Sequence, residues 1–294
     1  MSKMDRLTNA MIRAVPVSLI QFVSRNQWRV PALRWLFAWG ASWVKHQDGV
    51  ILHGTGQGLR FNAASSHSGF ILGNHETEVQ QFLASVLRPG MVYYDVGANV
   101  GFFAMIAARL VGPSGKVLCF EPLPENARQI QYNAKLNGFD NVVVRCEALG
   151  SSNRTEIFHT SAEPTWGMLA TVGKLPVKAS GTIPVDVRTL DSLRGDDLPR
   201  PDVIKMDIEG AEADALKGAG ETLSAHRPLL VIELHSTNAA VTGVLEELEY
   251  DAAVLGSTIQ VSAANWDANI VAVPRERLDL LDSVAKVSER SAVT

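Results

Sequence analysis

The chain predicts a doubly wound α/β fold, in which a mostly parallel sheet is covered by helices on both faces. Segments rich in β-formers alternate with helical segments between residues 91 and 273. The first of these strands runs into Asp95, and a turn with Gly97 and Gly101 follows before an apolar helical run over 102–110. This strand, glycine turn and helix are typical of the opening of a nucleotide-binding βαβ unit.

The composition favours one large globular domain with an appendage, and it argues against nucleic-acid binding and membrane insertion. The chain has 294 residues, 46% hydrophobic and 20% charged, with a net charge of −4. That balance argues against a nucleic-acid partner, which would favour a basic surface. Cys119 and Cys146 are expected to be reduced thiols. Since no apolar run approaches about 18 residues and no secretory signal is evident, we expect a cytoplasmic protein without stable membrane insertion.

The first 48 residues predict a helical extension, and residues 49–294 form the predicted α/β domain. The extension is basic and amphipathic and carries four of the chain's tryptophans, at positions 28, 35, 39 and 43. Such a segment can lie on a membrane surface, but it more often packs on its own domain or on a twin subunit. Its apolar surface would therefore suit a homodimer contact.

The first half of the domain predicts a hairpin followed by a mononucleotide-binding half. The expected elements are a β-hairpin within 49–70, a helix over 79–87, a strand over 116–122, a helix over 124–137 and a strand over 141–145. Glu121 ends the second of the parallel strands, 20 residues beyond Gly101. An acid in that position can accept hydrogen bonds from both ribose hydroxyls of an adenosine.

The second half predicts loops and then renewed alternation. Residues 151–200 are rich in Ser, Thr, Gly and Pro, which predicts substrate-facing loops with one edge strand over 183–188 that contains Pro184. Further strands are expected over 202–207, 228–235, 251–255 and 269–273, with helices over 210–216 and 241–248.

Polar side chains follow the carboxyl ends of four predicted strands, which is where ligands bind in open α/β sheets. These residues are Asp95, Glu121, Asp207 with Glu209, and Glu233 with His235. Any one of them could be a helix cap or a satisfied core residue, and Glu76 could simply be an acid favoured near the positive N-terminus of the helix over 79–87. Four such strand ends on one edge are hard to explain as independent caps, so the pattern predicts a functional site. A mid-strand Glu233 would need a partner, and Lys205 on the neighbouring strand is a candidate.

Several motifs resemble those of the FkbM-type methyltransferases from about residue 69 to 274. They are Gly-Asn-His-Glu (73–76), Asp-Val-Gly-Ala-Asn-Val-Gly (95–101), Phe-Glu-Pro (120–122), Arg-Thr-Leu-Asp (188–191), Ile-Lys-Met-Asp-Ile-Glu-Gly-Ala-Glu (204–212) and Glu-Leu-His (233–235). The resemblance implies a Rossmann-like class I sheet of seven strands with the last antiparallel. It also implies S-adenosylmethionine as cofactor and O-methylation of a hydroxyl on a sugar, polyketide, peptide or other secondary metabolite.

The resemblance also implies a role for each matching residue. Asp95, Gly97, Asn99 and Gly101 would hold the methionine end, Glu121 the ribose, and Glu147 with Ala148 the adenine. Glu76 would join the cofactor site, although His75 stands before it where the family often has tyrosine. Asp207 and Glu209 would lie next to the sulfonium, with His235 across from them.

Two uses of that last group stay open. His235 could be the base that takes the hydroxyl proton, oriented by Asp207 or Glu209. Alternatively, the same three side chains could hold a divalent cation such as Mg²⁺. An N-methyltransferase, a non-catalytic Rossmann-like binding protein, an NAD-dependent dehydrogenase and an RNA methyltransferase are the remaining alternatives. The spacing of Gly97 and Gly101 disfavours the dehydrogenase, and the net charge of −4 disfavours the RNA enzyme.

Overall fold

A computed structural model describes most of the predicted domain. The described residues are 47–67, 69–161, 167–172, 179–195 and 198–278. The N-terminal extension lies outside them but for residues 47 and 48, so its predicted helices, membrane contact and homodimer contact stay predictions. No helix in the described part of the chain combines the length and apolar composition that crossing a bilayer requires.

Thirteen strands are formed by the described residues and divide among a hairpin and two sheets. In chain order they are β1 (Gly49–Val50), β2 (Arg60–Phe61), β3 (Val92–Val96), β4 (Lys116–Phe120), β5 (Val142–Arg145), β6 (Ala148–Leu149), β7 (Arg154–Ser161), β8 (Gly167–Leu169), β9 (Ala179–Arg188), β10 (Val203–Met206), β11 (Leu229–Glu233), β12 (Tyr250–Val254) and β13 (Asn269–Pro274). β1 and β2 pair antiparallel, which confirms the predicted hairpin.

The central sheet has seven strands in the order β12-β13-β11-β10-β3-β4-β5. β13 runs antiparallel to both of its neighbours, and the other pairs are parallel. The predicted seven-stranded sheet with its last strand antiparallel is therefore confirmed.

Seven α-helices of the described chain cover this sheet on both faces. They are α1 (Gly69–Leu72), α2 (Thr77–Val86), α3 (Phe102–Val111), α4 (Pro124–Asn137), α5 (Glu212–Lys217), α6 (Gly220–His226) and α7 (Asn238–Glu247). Residues of α2, α3 and α4 share one core with Tyr93, whereas residues of α5, α6 and α7 share the other with Tyr94. Successive residues of β3 thus point into opposite cores. Because the strand is buried on both faces, its sequence is mostly apolar and does not alternate between apolar and polar residues.

The prediction of loops over 151–200 is wrong, because this region builds a second sheet in the order β6-β9-β7-β8. β9 is also not an edge strand throughout, since β6 pairs with it at Val187 and Arg188. At Pro184, however, only β7 is paired with β9, through Ile157. On the side of β9 that has no partner strand at Pro184, the missing N–H of the proline removes no hydrogen bond between strands.

Two boundaries at the sheet edge differ from the predictions and shape the site. The strand expected to reach 235 ends at Glu233, because Ser236 turns the backbone with a φ of +62°. The helix expected from 210 begins at Glu212, after Glu209 and Gly210 adopt positive φ values of 53° and 100°. No side-chain cap is present at the start of this helix, so Asp207 and Glu209 are not its caps.

Candidate active site

Two cavities meet above the carboxyl ends of β3 and β10. The first, of about 100 Å³, is lined by residues that follow β3, β4 and β10 and by part of the second sheet. The second, of about 410 Å³, extends toward the end of β11. They share Gly97, Asn99, Asp207 and Glu209. A ligand could therefore occupy the first cavity while presenting one end to the second.

The glycine turn after β3 forms the floor of this junction. Gly97 has a φ of +81°, and a Cβ placed there would overlap the backbone carbonyl oxygen of Asp207. Only glycine allows β3 and the segment after β10 to approach this closely. Gly101 lines neither cavity; it precedes α3 with a φ of +85°, and a Cβ there would lie 3.1 Å from Ile130.

Glu121 is the buried acid of the first cavity. It is 5% exposed and accepts backbone N–H groups from Asn99 and Leu123, each at 2.9 Å. Burial raises the pKa of its carboxyl to about 7, against the lowering effect of those hydrogen bonds. Ala148 also lines this cavity, whereas Glu147 does not. The carboxylate of Glu147 instead lies 3.2 Å from the guanidinium of Arg145.

A buried lysine organises the acids of the second cavity. Lys205 is 2% exposed, and its Nζ lies 3.1 Å from Oδ2 of Asp207. Burial alone would raise the pKa of Asp207, but the charge of Lys205 lowers it, so this carboxylate is ionised. Lys205 therefore pairs with Asp207 and not with Glu233, contrary to the predicted partner. Burial raises the pKa of Asp95, beside Lys205 on the neighbouring strand, to about 6.

Glu76 contributes an unsatisfied oxygen to the same cavity. Its Oε1 lies 2.6 Å from Nε2 of His75, while its Oε2 is buried without a hydrogen-bond partner. Burial would raise the pKa of Glu76, but Lys205 and His75 lower it. The residue also has a φ of +41° and gives α2 no side-chain cap. A buried, ionised oxygen without a partner is costly unless a ligand satisfies it.

His235 is positioned by Glu212, a residue that the sequence analysis assigned no role. Nδ1 of His235 lies 2.9 Å from Oε1 of Glu212, whose side chain is fully buried. Glu212 also accepts the N–H of Gly210 and the hydroxyl of Thr237, both at 2.9 Å. Since a carboxylate accepts hydrogen bonds, Nδ1 carries the proton toward Glu212, which leaves Nε2 facing the cavity.

Three carboxylates surround Nε2 of His235. It lies 3.5 Å from Glu209, 3.8 Å from Asp207 and 3.9 Å from Glu233. Burial alone would lower the pKa of His235, but the bond to Glu212 and the charges of Asp207 and Glu209 raise it to about 9. Burial raises the pKa of Glu209 to about 7 and that of Glu233 to about 9. The site therefore holds several exchangeable protons near neutral pH.

The structure brings together most of the predicted site residues. Asp95, Glu76, Gly97, Asn99, Asp207, Glu209 and His235 all line the second cavity, whereas Glu121 and Ala148 line the first. Gly101 and Glu147 line neither. Sequence reasoning missed the role of Glu212 and any role for Trp266, which also lines the second cavity. The one available signal for Glu212 was its place at the end of the motif over 204–212.

The glycine turn, the buried acid after β4 and the junction of cavities over a mostly parallel sheet define a class I methyltransferase fold. A model of the methyltransferase FkbM domain matches residues 95–254. The chain belongs to the FkbM methyltransferase family, as the sequence motifs indicated.

Individual relatives match about half of the chain. The hexuronic acid methyltransferase AglP of Haloferax volcanii is 27% identical over 170 residues, covering 55% of this chain and 63% of AglP. The 2-O-methyltransferase NoeI of Sinorhizobium fredii is 28% identical over 161 residues, covering 50% and 65%. The chain thus spans somewhat less than two thirds of either relative. A crystal structure of methyltransferase FkbM from Methylobacillus flagellatus is 22% identical, with a TM-score of 0.44, and covers 64% of this chain and 45% of that one.

Proposed function

We propose that the protein is an S-adenosylmethionine-dependent O-methyltransferase that acts on a hydroxyl of a small molecule. The observation that carries this proposal is the junction at Asp207 and Glu209, where the cavity that holds the buried Glu121 meets the cavity of a histidine held by a buried carboxylate. Membership in the FkbM family supports the same conclusion. Three relatives favour oxygen over nitrogen as the acceptor atom and natural products as acceptors. They are AglP, the 2-O-methyltransferase NoeI and the 31-O-demethyl-FK506 methyltransferase FkbM of Streptomyces tacrolimicus, which is 25% identical over 185 residues.

The described residues fit this cofactor at both of its ends. Glu121 lies in the first cavity, where ionised carboxylate oxygens can accept hydrogen bonds from ribose hydroxyls, and Ala148 leaves room for a base. Oε2 of Glu76 lacks a partner, and an α-ammonium group would satisfy it. Asp95, Gly97 and Asn99 would hold the rest of the methionine end. In this proposal neither Gly101 nor Glu147 contacts the cofactor. Gly101 supports the turn before α3, and Glu147 pairs with Arg145.

When bound, S-adenosylmethionine would supply an electrophilic methyl group: the acceptor oxygen would form a bond to the methyl carbon in line as the sulfur–carbon bond breaks and S-adenosylhomocysteine leaves. His235 takes the proton of that oxygen at Nε2, because Nδ1 is committed to Glu212. The carboxylates of Asp207 and Glu209 would stabilise the positive charge of the resulting imidazolium, since they lie 3.8 and 3.5 Å from Nε2. Glu212 is a positioning residue: it fixes the ring and its tautomer without reaching the acceptor.

The raised pKa of His235 sets a condition on this role. With a pKa of about 9, the ring is mostly protonated at pH 7 when the cavities hold no cation. A positive charge placed beside Asp207 would compensate the carboxylates that hold this proton and would lower the pKa of His235. In the proposed mechanism, the positive charge of the bound cofactor would thus favour the unprotonated form of His235 that can act as a base.

A second use of the same cavity is a divalent cation. Asp207, Glu233 and His235 each offer one ligand atom, and these atoms lie within 4.8 Å of one another. The sequence analysis named Glu209 as the third ligand of such a cation, whereas the geometry groups Glu233 with Asp207 and His235. Carboxylates suit Mg²⁺ or Mn²⁺, and such an ion would hold the acceptor hydroxyl and lower its pKa. The salt bridge between Lys205 and Asp207 opposes this use, so the histidine base is the favoured chemistry.

The first experiment is calorimetric titration of the full chain with S-adenosylhomocysteine, in chelator and then with Mg²⁺. We expect micromolar binding in both conditions, and screening of hydroxylated metabolites would then follow. Glu121→Gln should weaken binding, whereas Glu246→Gln, on the exposed face of α7, should not. Binding without turnover of any acceptor would favour a non-catalytic binding protein, and methyl transfer to amines alone would favour an N-methyltransferase. Absence of binding would remove the proposal.

We infer that the protein acts in the cytoplasm. Both of its cysteines are unpaired thiols, with Cys119 buried and Cys146 exposed, as suits a reducing compartment.

A further inference from the structure

Gln80 is a buried amide that lies next to the turn carrying Glu76. It is the fourth residue of α2 and is only 1% exposed, so solvent does not satisfy its polar groups. Its Nε2 donates to the carbonyl oxygens of Gly73 and His75, at 3.1 and 2.6 Å, and its Oε1 accepts the N–H of Thr55 at 3.0 Å. Both amide hydrogens and the amide oxygen are therefore used on backbone groups.

The turn over 73–76 has a backbone that requires such support. Glu76 has a φ of +41° and a ψ of 59°, a left-handed conformation that is costly for a residue with a side chain. The turn also packs closely against the preceding loop, because a Cβ at Gly73 would overlap the carbonyl oxygen of His53. Besides its side-chain bonds, Gln80 donates its backbone N–H to the carbonyl of Glu76 at 3.1 Å. Strained conformations persist where surrounding contacts determine them, and Gln80 supplies three of those contacts.

The backbone conformation of Glu76 determines where its carboxylate lies. Glu76 lines the second cavity, where its Oε1 pairs with His75 and its Oε2 has no hydrogen-bond partner among the described residues. If residue 76 relaxed to a negative φ, its Cα–Cβ bond would point in another direction and would carry the carboxylate away from this position. A ligand that binds this oxygen therefore needs the turn to keep its strained conformation.

We propose that Gln80 is a positioning residue for the amino-acid end of the cofactor. Through its bonds to Gly73 and His75, it holds Glu76 in the left-handed conformation that presents the carboxylate to the α-ammonium group. Gln80 does not contact the cofactor itself, since it lines neither cavity. The inference rests on the proposed binding of S-adenosylmethionine and adds a residue on which that binding depends.

The test compares two ligands that share the adenosine end and differ at the other. S-Adenosylhomocysteine carries the α-ammonium group, whereas 5′-methylthioadenosine lacks the amino-acid part, and each is titrated calorimetrically into the full chain. Gln80→Leu should weaken binding of S-adenosylhomocysteine by about tenfold, as expected for losing a hydrogen bond to a charged group, with little change for 5′-methylthioadenosine. Gln80→Glu should have the same effect, because its carboxylate can still accept from Thr55 but has no hydrogen for the two carbonyls.

A double-mutant cycle identifies the residue through which Gln80 acts. Glu76→Gln should weaken binding of S-adenosylhomocysteine by itself, and adding Gln80→Leu should then cause little further loss. Asn141→Leu is the matched control: its side-chain amide also donates to two carbonyls, those of Gly112 and Ala108 at 2.8 and 3.5 Å, but it precedes β5 at the opposite edge of the sheet. This control should lower the thermal unfolding temperature and leave the ratio of the two affinities unchanged.

Circular dichroism first shows that each variant is folded, so that loss of structure is not mistaken for loss of binding. Equal losses for both ligands in the Gln80 variants, unchanged affinity for S-adenosylhomocysteine in those variants, or additive losses in the cycle would overturn the proposal. If the wild-type chain binds neither ligand, the proposed function fails instead.

Discussion

Replacing Glu212 by glutamine should change the acidity of His235 while leaving the fold intact. The bond between Nδ1 and Oε1 is 2.9 Å long, and His235 is only 10% exposed, so solvent screens it weakly. A hydrogen bond to a charged group contributes about 1.5–3 kcal/mol, and one pKa unit corresponds to about 1.4 kcal/mol. We therefore expect Glu212→Gln to lower the pKa of His235 from about 9 by about 1 to 2 units. The amide can still bond to Gly210 and Thr237, so the local structure should persist.

The assay is a pH titration of the histidine Cε1–Hε1 signals by NMR, in the presence of chelator. The chain has seven histidines, and His235→Gln identifies the signal of interest. The full chain is used, and Glu246→Gln serves as control because that exposed carboxylate lies on α7 away from the site.

The same change should alter the pH dependence of stability. The pKa of His235 is raised in the folded protein from 6.5 to about 9, so its contribution to stability is complete below pH 6.5 and is lost as the pH rises through 9. Glu212→Gln should thus cost more unfolding free energy at pH 6 than at pH 10. A titration midpoint that stays at about 9 in the variant would refute the assignment of Glu212 as the partner that charges this histidine.

Four further outcomes are expected. Gly97→Ala should lower the free energy of unfolding in urea by about 2–4 kcal/mol, because its Cβ would overlap the carbonyl of Asp207 at a φ of +81°; wild-type stability would contradict the close approach. The affinity for S-adenosylhomocysteine should rise from pH 6 to pH 8 as Glu121 ionises near its pKa of about 7, whereas Glu121→Gln should show a flat calorimetric profile. His235→Ala should lower turnover of an identified acceptor by about 10²–10⁴-fold with cofactor affinity unchanged, and loss of cofactor binding would remove its role as base. If a cation binds, Mn²⁺ should broaden the NMR signal of His235 in the wild type but not in Glu233→Gln; a signal that stays sharp in both would dismiss the cation.

The alternation of strands and helices was predictable because it depends on local patterns. The apolar run before Asp95, the proline that opens α4 and the glycine that ends it are all visible in the printed sequence. The second sheet over 148–188 was not predictable in the same way. Most of its exposed side chains are polar, although Ile157 is 44% exposed, and Gly150, Ser151 and Ser152 precede β7, so without its strand partners the segment has the composition of loops.

The sequence by itself determined that Asp95, Glu121, Asp207 and His235 would lie at one edge of the sheet, because the carboxyl ends of parallel strands share that edge. Only the tertiary structure decided how these groups pair. Lys205 pairs with Asp207, two residues further along the same segment, and not with Glu233 at the end of the neighbouring strand. The partnership of Glu212 with His235 depends on where α5 docks, 23 residues before that histidine in the chain. Side-chain contacts across such separations are set by packing, which no local pattern encodes.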